Sequence, residues 1–345
     1  MFSIKSLPAH YGDCILIRYG EQDKKNNILI DGGITRTYIA TLKKEIQNII
    51  DRGEFIDLLI VTHIHDDHLR GILKFFSDSS MDKSLIKKVW FNSNKILAKY
   101  IQDLGIEEIN LYDEASKKMS YSNSITFENK LEELGIANTE IVYFNKSYNK
   151  INFEGAMITV LTPNIVSLQT LNIAFEKEAS LKTSAELHDF NIEINEVNVV
   201  DDLEGFIEDD APFNISSISC ILEYNEKTIL LLADSTPKDV ILGIKSLGYS
   251  IDNPLKVDFV KISHHGSKAN TNIELLKHIK CSKYIISTNG SKRGAPSKEM
   301  LSKIILTQEN VELIFNYDIY NEIFTQEEMQ KYNFTCLYTI DEMEV

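Results

Sequence analysis

Long apolar runs, paired cysteines and an excess of positive charge are all missing from this 345-residue chain. No apolar run approaches the ~18 residues needed to span a bilayer. The opening Met1-Phe2-Ser3-Ile4-Lys5 lacks the long apolar core of a signal peptide. These absences predict a cytoplasmic protein with no membrane contact. Cys14, Cys220, Cys281 and Cys336 are scattered, with no Cys-x-x-Cys pair, and are expected as reduced thiols. Neither a repeat nor a low-complexity segment occurs. Lys and Arg number 36 against 51 Asp and Glu, a net charge of −15. Between Glu176 and Asp210, twelve acids face only Lys177 and Lys182, a local balance of −10, which leaves −5 for the other 310 residues. The acidity therefore belongs to one segment. A chain so acidic is a poor stand-alone binder of nucleic acid, whose phosphates demand Lys and Arg, although acids confined to one segment can lie far from a site.

Histidine is also scarce, at eight residues, yet three of the eight fall in Thr62-His63-Ile64-His65-Asp66-Asp67-His68. Three imidazoles and two carboxylates in seven residues point to a metal site, because a divalent cation needs several N or O ligands converging at about 2.0–2.2 Å. The preceding Phe55-Ile56-Asp57-Leu58-Leu59-Ile60-Val61 reads as a buried strand, and Leu69–Phe76 reads as a helix. The run thus occupies the carboxyl end of a strand, where open α/β sheets carry their sites. Side chains alternate along an extended segment, so His63 and His65 point to one side. Asp67 and His68 follow the turn into the helix. Two pairs aimed at neighbouring points predict a dinuclear site, with His63 and His65 on one ion and Asp67 and His68 on the other. Asp66 is read as a cap or support.

The remaining pattern alternates strands and helices. A strand pair surrounds the turn Gly20–Asn27, and Thr37–Ile50 is helical, with Ile39, Leu42, Ile46, Ile49 and Ile50 at helical spacing. Lys87–Asn92 and Met157–Thr162 read as strands, Tyr121–Leu134 as a helix, and residues 165–211 as an insert. Ile215–Tyr224 and Lys227–Leu232 form a strand pair turning at Asn225-Glu226. Glu274–His278, Lys283–Ser287 and Ser297–Ile305 continue as helix, strand and helix. Such an order fits an αββα sandwich, two sheets face to face with helices outside.

His-x-His-x-Asp-His after a buried strand resembles the signature of the metallo-β-lactamase superfamily. Other landmarks follow in that superfamily's order: Ile28–Ile30 ending in Asp31-Gly32-Gly33, Ile229–Ala233 ending in Asp234, and Phe259–Ser263 ending in His264-His265-Gly266-Ser267. Gly12-Asp13-Cys14-Ile15-Leu16-Ile17, Asn214-Ile215-Ser216-Ser217 and His264-His265-Gly266-Ser267 together resemble the hydrolase domain of the DNA-uptake channel ComEC and its free-standing relatives. The resemblance covers roughly residues 1–305, interrupted by the insert, with 306–345 as an extension packed on the same domain.

The resemblance implies a metallo-β-lactamase-like α/β fold and a metal-dependent hydrolase of the phosphodiesterase or nuclease type, using a dinuclear metal-activated hydroxide. Its implied substrate is a phosphorylated small molecule or a nucleic acid. Hydrolysis of acyl, lactone or peptide bonds is the alternative. A partner-dependent subunit, docking a basic protein through the acidic segment 176–210, is a third reading. The expected metal ligands are His63, His65, Asp67, His68, Asp234 and His264, with Asp234 bridging. Catalytic roles fall to Asp67, His265 and Asn214. Alternation along the strand sends His264 and His265 to opposite sides, so one is a ligand for the second ion and the other meets substrate. Asp31 and Asp13 are expected to orient metal-bound imidazoles. An all-His/Asp donor set suits two Zn²⁺, with Mn²⁺ or Fe as alternatives. Two departures from the family pattern stand out. The only histidine between His68 and Asp234 is His188, so His188 or Asn214 is left to complete the first ion. Ala295-Pro296 replaces the His-Pro of ComEC-like proteins, which leaves Lys292 or Arg293 to grip an anion.

Overall fold

A computed structural model describes residues 1–21, 24–103, 119–136, 138, 140–145, 149–176, 187–199, 205–291 and 294–345. Lys292 and Arg293 lie outside the described residues, as does much of the acidic segment.

Two sheets are stacked. The first has six strands: Phe2–Ser6, Ile15–Glu21, Lys24–Ile30, Leu58–Ile60, Val89–Trp90 and Met343–Glu344, the last pairing with the first. The second has eight strands, running in space from Thr335–Tyr338 through Glu312–Phe315, Lys283–Ile286, Phe259–Lys261, Lys227–Leu231, Ser219–Tyr224 and Ala156–Thr162 to Lys150–Phe153. The stretch 306–345 therefore contributes strands to both sheets.

The apolar runs explain the layering. Strands buried on both faces read as continuous hydrophobic sequence, and alternate residues serve opposite layers. Ile28, Ile30, Leu58 and Ile60 point inward and meet Ile229, Leu231, Phe259 and Ile285 of the other sheet. Leu29, Leu59 and Val61 point outward, onto helices carrying Leu42, Ile46, Ile72 and Phe75. Leu230, Leu232, Val260 and Ile262 likewise point outward, onto Val240, Ile244, Leu301 and Ile304. The result is the αββα sandwich expected from sequence.

One expectation about local structure differs, and the insert opens with an element of its own, residues 165–176. They form a helix, Ile165–Glu176, that buries Leu168, Leu171, Ala174 and Phe175 against the first helical layer. The strand expected from Ile215 begins only at Ser219, because Pro212–Ile215 is a short helix, with proline at its start where no N–H is needed.

Parallel pairing sets up the site. Lys24–Ile30 runs parallel to Leu58–Ile60, and Phe259–Lys261 runs parallel to both Lys227–Leu231 and Lys283–Ile286. All these carboxyl ends emerge together at one rim of the sandwich.

Candidate metal centre

Four chain segments leave that rim and bring polar side chains together. The helix Asp66–Ser77 starts directly after His65, so Asp67 and His68 occupy its first turn. It packs unusually close to the Asp31-Gly32-Gly33 turn. A Cβ on Gly71 would sit 1.8 Å from the carbonyl oxygen of Gly32, so only glycine permits the approach. His68 O accepts from Gly32 N at 2.8 Å, and Asp67 O accepts from Asp13 N at 3.2 Å.

His63, His65, Asp67, His68, Asp234 and His265 are all buried. The two oxygens of Asp234 face two different sets of imidazoles. Oδ2 lies 3.6 Å from His63 Nε2 and 3.5 Å from His264 Nε2. Oδ1 lies 3.5 Å from His68 Nε2 and 3.8 Å from His265 Nε2, and His265 Nε2 is 3.7 Å from Asp67 Oδ2. These separations exceed a hydrogen bond; three fall within, and the two made by His265 just above, the roughly 3.3–3.6 Å that separates two ligands each 2.0–2.2 Å from a tetrahedral metal. Among the described residues, three groups of three have donor atoms within 4.8 Å of one another: His63, His65 and Asp234; Asp67, His68 and His265; and Asp13, Asp234 and His265. Among the described residues, neither oxygen of Asp234 and neither Nε2 of His68 or His265 has a hydrogen-bond partner, although all are buried. Such groups are costly to leave unsatisfied. The residues present therefore fit a pair of divalent ions.

Protonation agrees with that fit at His63 and Asp234, whereas His68 would have to lose a proton to ligate. Burial, then neighbouring His68, holds His63 well below the ordinary imidazole value, so it is neutral. Burial alone would raise Asp234, but His264, His68, His265 and His63 outweigh it and hold the carboxyl well below its ordinary value. Burial would also lower His68, yet Asp234 and Asp31 together raise it well above the ordinary value. Neutral imidazole and ionised carboxylate are the ligating forms.

Three of the imidazoles, those of His68, His265 and His63, are held from behind. Asp31 accepts from Thr62 N at 2.8 Å and Thr62 Oγ1 at 2.7 Å, and its Oδ2 is 2.7 Å from His68 Nδ1. His265 Nδ1 lies 3.1 Å from Ser287 O and 3.3 Å from Asp13 Oδ1. Asp13 in turn forms a fully buried ion pair with Lys261 at 2.7 Å. Thr62 Oγ1 lies 3.1 Å from His63 Nδ1. Asp66 is turned away from the centre, onto Asn123 and Arg70.

The alternation expected of His264 and His265 does not hold. The strand ends at Lys261, and both histidines sit in a tight turn with left-handed backbone, φ 43° and φ 55°. Both imidazoles consequently face Asp234, His264 beside His63 and His265 beside His68 and Asp67. His188, open for the first ion on sequence, lies elsewhere: it is exposed, stacks on Phe190 and approaches Gly290 O at 2.6 Å. Asn214 does come near. Its amide nitrogen donates to Asp209 Oδ2 at 2.6 Å. Asp209 and Asn270 are the neighbours that sequence reasoning missed. Asp209 is one of twelve acids in its segment, and nothing local distinguishes it from Asp210.

A cavity of about 1250 Å³ borders the centre, with Asp209 and Thr236 in its wall. Tyr100, Tyr143, Phe144, Ile165 and Leu242 give it an apolar face, and Glu208, Asp209, Asp210, Asp239 and Glu274 outnumber Lys238 and Lys245 there.

Residues 7–113 match the family described as the Metallo-beta-lactamase superfamily, a stretch that contains Asp13, Asp31 and the whole run His63–His68. The fold is the metallo-β-lactamase fold. Among solved structures, the chain is similar to the metallo-beta-lactamase fold protein YhfI from Bacillus subtilis (10% identity, all of both chains covered, TM-score 0.39). It is also similar to Zn²⁺-bound PqqB from Methylobacterium extorquens (9%, 96% of this chain and 87% of that one, TM-score 0.42) and to the short form of human tRNase Z (9%, 99% of both, TM-score 0.37). At such values the likenesses say nothing about activity. No curated protein matches the chain. No helix among the described residues is long and apolar enough to cross a membrane.

Proposed function

We propose that this protein is a metal-dependent hydrolase with a dinuclear centre. One ion would be held by His63, His65, His264 and Asp234 Oδ2, the other by Asp67, His68, His265 and Asp234 Oδ1. The observation that carries the reading is Asp234, a buried carboxylate whose two oxygens face two separate sets of imidazoles. Divalent ions there would supply Lewis acidity and a water acidic enough to attack near neutral pH. The chain's own work is orientation. Asp31 turns His68 and Asp13 turns His265, so that each Nε2 faces the centre. Asp67, against His265, is positioned to orient the attacking water. Zinc is the favoured metal for an all-His/Asp set, with manganese and iron as alternatives.

The bond cut is a phosphodiester in the first reading. Its support is the ComEC-like run of Gly12-Asp13-Cys14, Asn214-x-x-Ser217 and His264-His265-Gly266-Ser267, together with two adjoining donor sets that share Asp234, since two ions held there would supply paired Lewis acidity to a phosphoryl centre. One observation favours a second reading. The acid-rich, apolar wall of the neighbouring cavity repels a polyanion and suits an uncharged acyl ester or lactone. Metal-stripped protein reloaded with Zn²⁺ or Mn²⁺ is to be assayed on bis-p-nitrophenyl phosphate and on p-nitrophenyl acetate and a simple lactone. The expected outcome is metal-dependent turnover of one class, abolished by His65→Ala and by Asp234→Ala. No turnover of either class, or turnover unchanged in those variants, overturns the proposal.

A further inference from the structure

We propose that Asp209 is a positioning residue of this centre, holding the His264 imidazole with Nε2 turned toward Asp234. The inference rests on the dinuclear reading above. His264 is the third imidazole of the His63 side, and it stands on a turn rather than a strand, with left-handed backbone at φ 43°. Its ring therefore needs an external hold. Nδ1 lies 2.9 Å from Asn270 Oδ1 and 3.2 Å from Asp209 Oδ2. The same Asp209 oxygen accepts from Asn270 Nδ2 at 3.1 Å and from Asn214 Nδ2 at 2.6 Å. Asn270 Nδ2 also donates to Asp234 O at 3.1 Å. With that amide nitrogen committed to two acceptors, the amide oxygen is the atom turned to His264. Asp209 thus sets the imidazole directly, by charge, and again through the amide of Asn270.

The backbone reinforces the arrangement. Asp209 Oδ1 accepts from Ala211 N at 3.0 Å, and Asp209 N donates to Ala269 O at 3.2 Å, tying this segment to the turn that follows His264. A carboxylate behind an imidazole fixes the tautomer that ligates through Nε2 and raises its basicity. The segment that sequence marks only as acidic is therefore part of the metal centre. His264 would take the place on the first ion that the missing upstream histidine leaves open, and Asp209 holds its ring there.

The test is chelator competition on the zinc-loaded full chain, with stoichiometry read by elemental analysis. Wild type is expected to hold two zinc ions. Asp209→Ala should release one of them about 10–100-fold more readily, and Asp209→Asn, which keeps an acceptor for Asn214 and Asn270, should fall between. In a His264→Ala background, Asp209→Ala should change nothing further, because its effect runs through that ring. Wild-type affinity in Asp209→Ala, or an equal loss in the His264→Ala background, overturns the assignment while the dinuclear reading stands. A wild type that binds none of Zn²⁺, Mn²⁺ and Fe²⁺ overturns both.

Discussion

Asp31→Ala isolates how much of the site is structural. Asp31 is fully buried and accepts from Thr62 N, from Thr62 Oγ1 and from His68 Nδ1. Alanine leaves the two Thr62 donors without their carboxylate, at about 1–3 kcal/mol each. Removing the carboxylate also relieves a burial cost, since desolvation raises the Asp31 carboxyl above its ordinary value despite His68 and Thr62. The net loss should be about 2–4 kcal/mol, a large share of the roughly 5–15 kcal/mol typical of folded proteins. Urea unfolding in EDTA measures it without any metal contribution. Asp31→Asn should lose less, because its amide oxygen still accepts from Thr62 N. If Asp31→Ala unfolds within about 0.5 kcal/mol of wild type, below the cost of even one orphaned buried donor, the view of Asp31 as the centre's buried anchor is wrong.

Four other outcomes follow from the same geometry. Gly71→Ala, despite alanine's better helix propensity, should destabilise by about 1–3 kcal/mol or more through the clash with Gly32 O, read as a lower thermal midpoint; an unchanged midpoint refutes the close-packing account. Lys261→Met strands Asp13 as a buried charge and should cost about 3–5 kcal/mol in urea unfolding; an unchanged midpoint in urea would show the pair is dispensable. Glu54 has a carboxyl that burial would raise but Arg18, Asn27 and Arg52 lower to about 2, from 4.5. Its stabilisation is complete above the unfolded value and is lost as pH falls from about 4.5 toward 2, so Glu54→Gln should flatten stability in that window. Zinc binding should release protons, because His68 is held protonated without metal; binding heats that do not vary with the ionisation enthalpy of the buffer would contradict this.

The sandwich was legible because its strands are buried on both faces and so read as unbroken runs, such as Ile28–Ile30 and Leu58–Val61, each closed by a polar residue. The run Thr62–His68 was legible because its ligand-type residues are local in sequence. His264 and His265 misled because the period-two rule was extended past Lys261, where a left-handed turn replaces the strand. Asp209 was hidden for a different reason. It acts 55 residues from His264, and an acid's role at that distance depends on tertiary contacts that composition cannot carry.

Three acids of the acidic segment point inward. Asp189 accepts from Ser297 Oγ, Lys298 N and Glu299 N at the start of one helix, Glu208 accepts from Lys238 N at the start of another, and Asp209 holds His264. Coupling of this kind is reciprocal. If the segment tightens the grip on an ion, the ion tightens the segment by an equal free energy. Metal supply would then govern how firmly residues 205–210 stay docked on the turn that follows His264, making those docked acids a readable gauge of metal status.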